Sequence, residues 1–270
     1  MNEKLPTIDA KKSLGQHFLN SSRVPELMVD AGNVSNTDIV LEIGPGTGVL
    51  TRELLKREAT VIAIEADTRA IESLKKSFES EILSKKLTLI HGDVRTFDLK
   101  ALGFTTKSFK IVANIPYYLS GFLFRTFLEH DIQPSDLVFL VQREVAERIA
   151  RDKKESLLSL SVKIFGNPKY IKTIGKGNFT PPPKIDSAII AISHISKDRL
   201  GKIPQEFFFK ILHEGFKSKR KQLLGNLSDT HDREALTHIF STVGLSPVVR
   251  GEDLPLDMWL SLCSEIILHK

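Results

Sequence analysis

One junction restricts the fold of this chain more than any other. The apolar run IVLEI (39–43) passes directly into GPGTG, with glycines at 44, 46 and 48. A short β-branched run of this kind reads as a buried strand. Glycines at its end let the backbone turn sharply and approach a ligand closely. A helical stretch follows from Val49 to about Arg57, and then VIAIE (61–65) reads as a second strand. Helical spacing of Ile71, Leu74, Phe78 and Ile82 predicts one helix over Arg69 to Leu83. LTLIH (87–91), KIVAN (110–114) and DLVFLVQ (136–142) are further strands with helical stretches between them. Strands alternating with helices predict an α/β fold with a doubly wound parallel sheet. Ligand sites of such sheets lie at the carboxyl ends of the strands.

The pattern changes after Arg151. SLLSLSVKIF (156–165) and DSAIIAIS (186–193) read as two strands flanking the loop GKGNFTPPPK (175–184), an antiparallel pair for a sheet edge. From about Pro204 the chain reads as helices: Gln205 to Phe216, Arg233 to Val243, and Leu256 to Leu268. A boundary near Ser196 is expected, with residues 1–196 as the sheet domain and 197–270 as a small helical domain.

Composition narrows the setting. Apolar residues make up 41% and charged residues 26% of 270, as in ordinary globular proteins. A single cysteine, Cys263, excludes an internal disulfide framework and fits a reducing, cytoplasmic setting. It lies in the apolar stretch Trp259 to Leu268, so a buried, inert thiol is expected. The start, MNEKLPTIDAKK, has no apolar core of the signal-peptide kind, and no apolar run approaches the roughly 18 residues of a membrane helix. The formal charge of +5 suits a polyanionic partner without proving one. Two local clusters are more specific: Lys217, Lys219, Arg220 and Lys221, and Arg148, Arg151, Lys153 and Lys154. Each reads either as a phosphate-contacting surface or as a solvated face.

The strand ends carry the chemistry. The glycine spacing departs from the dinucleotide fingerprint, because Val49 stands where a third glycine or alanine would be. Glu65 closes the second strand, 21 positions after Gly44, where a carboxylate can accept hydrogen bonds from both ribose hydroxyls. Asp93, in HGDV, places a second carboxylate near an adenine amino group. Taken singly, each acid also reads as a solvated loop residue or a helix cap. The fourth strand ends in NIPYY (114–118). The Asn114 side-chain oxygen and the Ile115 carbonyl are two acceptors for the hydrogens of an exocyclic amine, which would favour a pyramidal, nucleophilic nitrogen. Pro116 stiffens the turn, and Tyr117 offers a face on which an extruded base can stack. The bland alternative is a plain turn, since Asn-x-Pro is common in loops.

EIGPGTG, the acidic end of VIAIE and GDV resemble the cofactor motifs of class I S-adenosylmethionine methyltransferases, with a Rossmann-like sheet. NIPY resembles the motif of amino-directed adenine methyltransferases. KKSLGQHFL (11–19) resembles the N-terminal motif of the rRNA adenine dimethyltransferases. That likeness makes His17 and Leu19 cofactor contacts beside Gly44, Gly46, Glu65, Asp93 and Asn114, although many members carry Asn where this chain has His17. NFTPPPKIDSA (178–188) resembles the family's post-catalytic loop, which implies that Phe179 stacks on the target base; Phe179 as a core plug is the alternative. FKSKRKQLLGNL (216–227) resembles its C-terminal basic helix, and GEDLPLDMW (251–259) is a weaker echo. The chain is identified as a member of the small-subunit ribosomal RNA adenine dimethyltransferase A family, the kasugamycin-sensitivity enzymes. The resemblance implies transfer of four methyl groups from S-adenosylmethionine to two adjacent adenosines in the 3′-terminal hairpin of 16S rRNA. The substrate would be a late pre-30S particle, and the protein monomeric, cytoplasmic and free of metal. Three rivals remain: a large-subunit rRNA adenine methyltransferase of the macrolide-resistance type, a non-catalytic nucleic-acid-binding factor on the same scaffold, and a nicotinamide oxidoreductase.

Overall fold

A computed structural model describes residues 8, 10, 11 and 15–269, so Lys12, Ser13 and Leu14 of the N-terminal motif lie outside the described residues. In chain order the strands are β1 (Phe18–Leu19), β2 (Ile39–Ile43), β3 (Thr60–Glu65), β4 (Leu87–His91), β5 (Lys110–Asn114), β6 (Leu137–Gln142), β7 (Asn167–Ile174), β8 (Phe179–Thr180) and β9 (Ser187–Ser193). The helices are α1 (Arg23–Ala31), α2 (Val49–Lys56), α3 (Thr68–Ser77), α4 (Glu79–Leu83), α5 (Ser120–Glu129), α6 (Arg143–Ala150), α7 (Leu157–Lys163), α8 (Gln205–Gly215), α9 (Leu223–Leu227), α10 (Arg233–Thr242) and α11 (Leu256–Leu268).

Seven strands form one sheet in the order β4-β3-β2-β5-β6-β9-β7. The five strands from β4 to β6 are parallel, and β9 runs antiparallel to β6. Chain order reverses between β2 and β5, which makes a doubly wound sheet with its switch point there. Central strands are covered on both faces and therefore read as unbroken apolar runs: Ile111, Val112 and Ala113 are all buried, as are Leu137 to Val141. β4, at the edge, is only half covered. A separate two-stranded ribbon sets Leu19 of β1 opposite Phe179 of β8.

The chain divides into two compact units, residues 1–146 with 168–195, and residues 147–167 with 196–270. The second unit thus takes in a segment that the sequence reading assigned to the first. SLLSLSVKIF is not a strand: it forms α7, because Ser156 and Ser159 close a reciprocal capping box that starts a helix. The strand beside β9 is instead NPKYIKTI, β7. The single helix expected over Arg69 to Leu83 breaks at Phe78, whose backbone leaves the helical region (φ −127°) and whose ring is buried.

In the second unit, Trp259 is fully buried and stacks on Phe216, with ring centroids 5.5 Å apart. Gly215 and Gly251 lie so close to this indole that a Cβ on Gly215 would come within 2.4 Å of it. A Cβ on Gly251, the glycine of GEDLPLDMW, would lie 3.2 Å from the same indole, tighter than a side chain usually sits. Cys263 is buried there, its thiol pushed up to about 12 by burial, as an inert core residue should be. Among the described residues no helix is long and apolar enough to cross a membrane.

Candidate active site

The carboxyl ends of β2, β3, β4 and β5 open onto one cleft of about 900 Å³, counting the space open to solvent. Gly44, Gly46, Glu65, Asp93, Asn114, Ile115, Pro116 and Tyr117 all line it, as does His17. Gly44 and Tyr117, 73 positions apart, converge with the residues between them because each follows a parallel strand to the same edge of the sheet.

The loop after β2 is set by backbone conformation. Gly44, Gly46 and Gly48 have φ of +67°, +56° and +82°, a region that L side chains rarely adopt. Their surroundings differ. A Cβ on Gly48 would lie 2.6 Å from the Phe78 ring, and one on Gly46 would lie 2.9 Å from Phe18. Gly44 has no protein atom within 4 Å of that point, so its open side faces the cleft.

Glu65 fastens this loop to the end of β3. Its two carboxylate oxygens accept from the Gly46 N–H (3.0 Å) and the Asp67 N–H (2.9 Å). Burial raises its pKa, while these backbone donors oppose the rise. Each carboxylate oxygen carries more than one acceptor site, so capacity for a diol remains. Behind the loop sits an acid to which the sequence reading gave no role. Glu42 is 1% exposed, and one of its oxygens accepts from the Thr51 hydroxyl at 2.7 Å. The other, Oε1, is buried and has no partner among the described residues, and burial pushes the Glu42 pKa up to about 8.

Two Asp-x-Arg segments brace the neighbouring strand ends. Asp67 caps α3 through the Arg69 N–H (3.1 Å) and binds the Arg69 guanidinium. It also takes a hydrogen bond from Gln16 Nε2 (3.1 Å), tying down the N-terminal segment, and the Arg69 contact holds its carboxyl well below the usual range. Asp93 repeats the arrangement with the Arg95 N–H and guanidinium, so the carboxylate expected to meet an adenine amino group is already clamped by a cation. Gln16 and Arg95, which the sequence reading passed over, both line the cleft.

At the end of β5, the Asn114 Nδ2 donates to the His17 carbonyl at 3.2 Å. This orients the amide and leaves its Oδ1 with no protein donor among the described residues. His17 is a brace as well as a wall: its Nδ1 meets the Pro181 carbonyl at 2.8 Å, and its ring stacks on Tyr117 with centroids 5.8 Å apart. The Tyr117 hydroxyl is fixed by Ser187 at 2.6 Å, and burial raises its pKa.

Three expectations are corrected by these positions. Phe179 is 2% exposed and packs in the hydrophobic core with Leu19, so it is the core plug and not a ring facing the cleft. Leu19 is buried behind the glycine loop, in a small cavity with Glu42, and is not a wall of the main cleft. The basic run is not a helix, because residues 216–222 form the turn between α8 and α9. In that turn Lys217 and Lys221 share Asp229, at 3.0 and 3.3 Å. Lys219 and Arg220 are exposed and make no ion pair among the described residues. Buried Asn226 holds the turn through the Gly215 and Ser218 carbonyls, at 2.7 and 3.1 Å.

Known proteins match this chain over most of its length. Residues 8–268 match the family model for ribosomal RNA adenine dimethylase. A protein of Dehalococcoides mccartyi named ribosomal RNA small subunit methyltransferase A is 38% identical over 263 residues, covering 96% of this chain and 89% of that one. A protein of the same name from Clostridium botulinum is 34% identical, covering 91% of this chain and 90% of its own. The crystal structure of a dimethyladenosine transferase from Plasmodium falciparum superposes with a TM-score of 0.80 at 25% identity, over 93% of this chain and 98% of that one. The 23S rRNA methyltransferase ErmE shares the fold, with a TM-score of 0.75 at 21% identity over 93% and 99% of the two chains. A match that runs from before the glycine loop to the last helix takes in the whole cleft, and on that basis the chain belongs to the ribosomal RNA adenine dimethylase family.

Proposed function

We propose that this protein transfers methyl groups from S-adenosylmethionine to the N6 of two adjacent adenosines in the 3′-terminal hairpin of small-subunit rRNA, on a pre-30S particle. The observation that carries this reading is the Asn114 amide, anchored through its Nδ2 on the His17 carbonyl within the lining of the cleft that Glu65 and Gly44 also line.

The residues present fit the cofactor. Gly44 leaves a cradle that a Cβ would fill, Glu65 retains acceptor sites for ribose hydroxyls, and Ile43, Ile64 and Val94 give apolar walls for an adenine ring. Asp93 meets the adenine end while held by Arg95. His17 and Gln16 close the cleft from the N-terminal segment. When bound, S-adenosylmethionine supplies an electrophilic methyl group. Asn114 Oδ1 and the Ile115 carbonyl accept the two hydrogens of the target amine. The nitrogen lone pair, otherwise delocalised into the base, is thereby localised and aimed at the methyl carbon. Pro116 fixes the direction of the turn, and Tyr117, held by Ser187 and His17, keeps the base in place. Lys219 and Arg220 supply phosphate contacts in the second unit, with Lys217 and Lys221 partly neutralised by Asp229.

The small-subunit substrate is preferred over the large-subunit one because the relatives at 34–38% identity carry the small-subunit name. The test is transfer of labelled methyl groups to unmethylated 30S particles, with mass spectrometry of the nucleosides. Two dimethyladenosines per particle are expected; labelled large-subunit rRNA with unlabelled 30S particles would overturn the assignment.

A further inference from the structure

We propose that Tyr118 is the stacking platform for the nucleobase next to the one being methylated, at the mouth of the cleft; the proposal rests on the rRNA-methyltransferase reading above. Three aromatic rings come from the NIPYY turn and the NFTPPPK loop, and their environments differ. Phe179 is in the core, at 2% exposure. Tyr117 has one face against His17 and its hydroxyl fixed on Ser187. Tyr118 is 62% exposed although it lines the cleft.

Leaving so large an aromatic ring in water forfeits the gain from burying it, and a base that stacks there recovers that gain on binding. The ring is also held in position. A Cβ on Gly15 would lie 3.3 Å from two of its carbons, so the backbone at Gly15 packs close against the ring. Gly15 has a φ of +60°, a conformation that favours glycine. The same rim carries Arg95, whose side chain is 56% exposed and whose guanidinium is fixed by Asp93. A nucleotide seated on Tyr118 thus has a cation on the same rim to meet its phosphate. The substrate chemistry calls for such a place. Two adjacent adenosines must each enter the pocket, and the one outside has been unstacked by the extrusion of its neighbour. An aromatic face at the mouth restores that stacking for either base in turn.

The experiment compares Tyr118→Ala and Tyr118→Phe with the unaltered protein, using unmethylated 30S particles and calorimetry with S-adenosylmethionine alone. Tyr118→Ala should raise the KM for particles roughly tenfold, because one base–aromatic stack is lost, with cofactor affinity unchanged. Tyr118→Phe should restore the KM, since the ring and not the hydroxyl is used. An unchanged KM for Tyr118→Ala, or a Tyr118→Phe variant as impaired as the alanine one, overturns the platform. Failure of the unaltered protein to methylate 30S particles would instead overturn the rRNA reading and the platform with it.

Discussion

The two ends of the cleft are built in opposite ways. At the glycine-loop end the three acids at or near the strand ends already hold protein partners. Glu65 holds two backbone N–H groups, Asp67 holds Arg69 and Gln16, and Asp93 holds Arg95. At the Asn114 end the groups are oriented but left open: an amide oxygen with no protein donor among the described residues, and a tyrosine ring in solvent. The first end is prepaid during folding, which suits a small ligand that must be gripped in one pose. The second is kept available for a base that arrives on a large partner. Damage at the loop end should therefore appear in stability and cofactor affinity together, and damage at the Asn114 end in turnover or capture of the RNA, with cofactor affinity kept.

Glu65→Ala is expected to give the largest effect on binding. It removes the ribose acceptors and frees the Gly46 and Asp67 N–H groups, and charge-assisted bonds of this kind are worth about 1.5–3 kcal/mol each. Calorimetry should find S-adenosylmethionine affinity reduced about 100-fold or more; unchanged affinity in a folded variant would remove Glu65 from the site and break the comparison. Gly48→Ala should cost about 1–3 kcal/mol from its left-handed backbone, with the Phe78 clash added. The measurement is the urea midpoint, which should fall.

Glu42 gives a smaller, pH-dependent effect. Its pKa is pushed up to about 8 by burial, from an ordinary 4.5. Between those values the folded state keeps a proton that the unfolded chain has released, so the Glu42 contribution weakens stability as pH rises. The slope is at most about 1.4 kcal/mol per pH unit. Glu42→Gln should flatten the stability profile between pH 5 and 8; a profile parallel to that of the unaltered protein would place the buried proton elsewhere. The smallest effect belongs to the second unit. Neutralising Lys219 and Arg220 should lower the salt slope of 30S binding by about one per cation, without changing cofactor affinity.

Much of the cleft was legible in the sequence because strand ends of a doubly wound sheet converge whatever their separation. IVLEI, VIAIE, LTLIH and KIVAN announce parallel strands, and residues at or just beyond the end of each reach the site. What was misread depends on local ambiguity or on tertiary packing. SLLSLSVKIF has apolar residues at spacings that suit either period, and the Ser156–Ser159 capping box decides for helix. NPKYIKTI hides as a strand because edge exposure permits lysines along it. Phe179 next to three prolines looks presented, yet its pairing with Leu19 turns it inward. Glu42 left a signal that went unused: an acid inside an apolar strand is costly unless it serves a purpose. The repeated Asp-x-Arg of ADTR and GDVR was visible too, and it foretells both clamps.

The central claim is that Asn114 serves the chemical step far more than it serves binding. Single-turnover methyl transfer by Asn114→Ala, at saturating S-adenosylmethionine and saturating 30S particles, tests it most directly. With the acceptor gone, the rate should fall about 100-fold or more, while calorimetry finds the cofactor bound as tightly as before. A near-normal rate, or a loss explained wholly by weaker cofactor binding, would contradict the account and leave NIPYY as a structural turn.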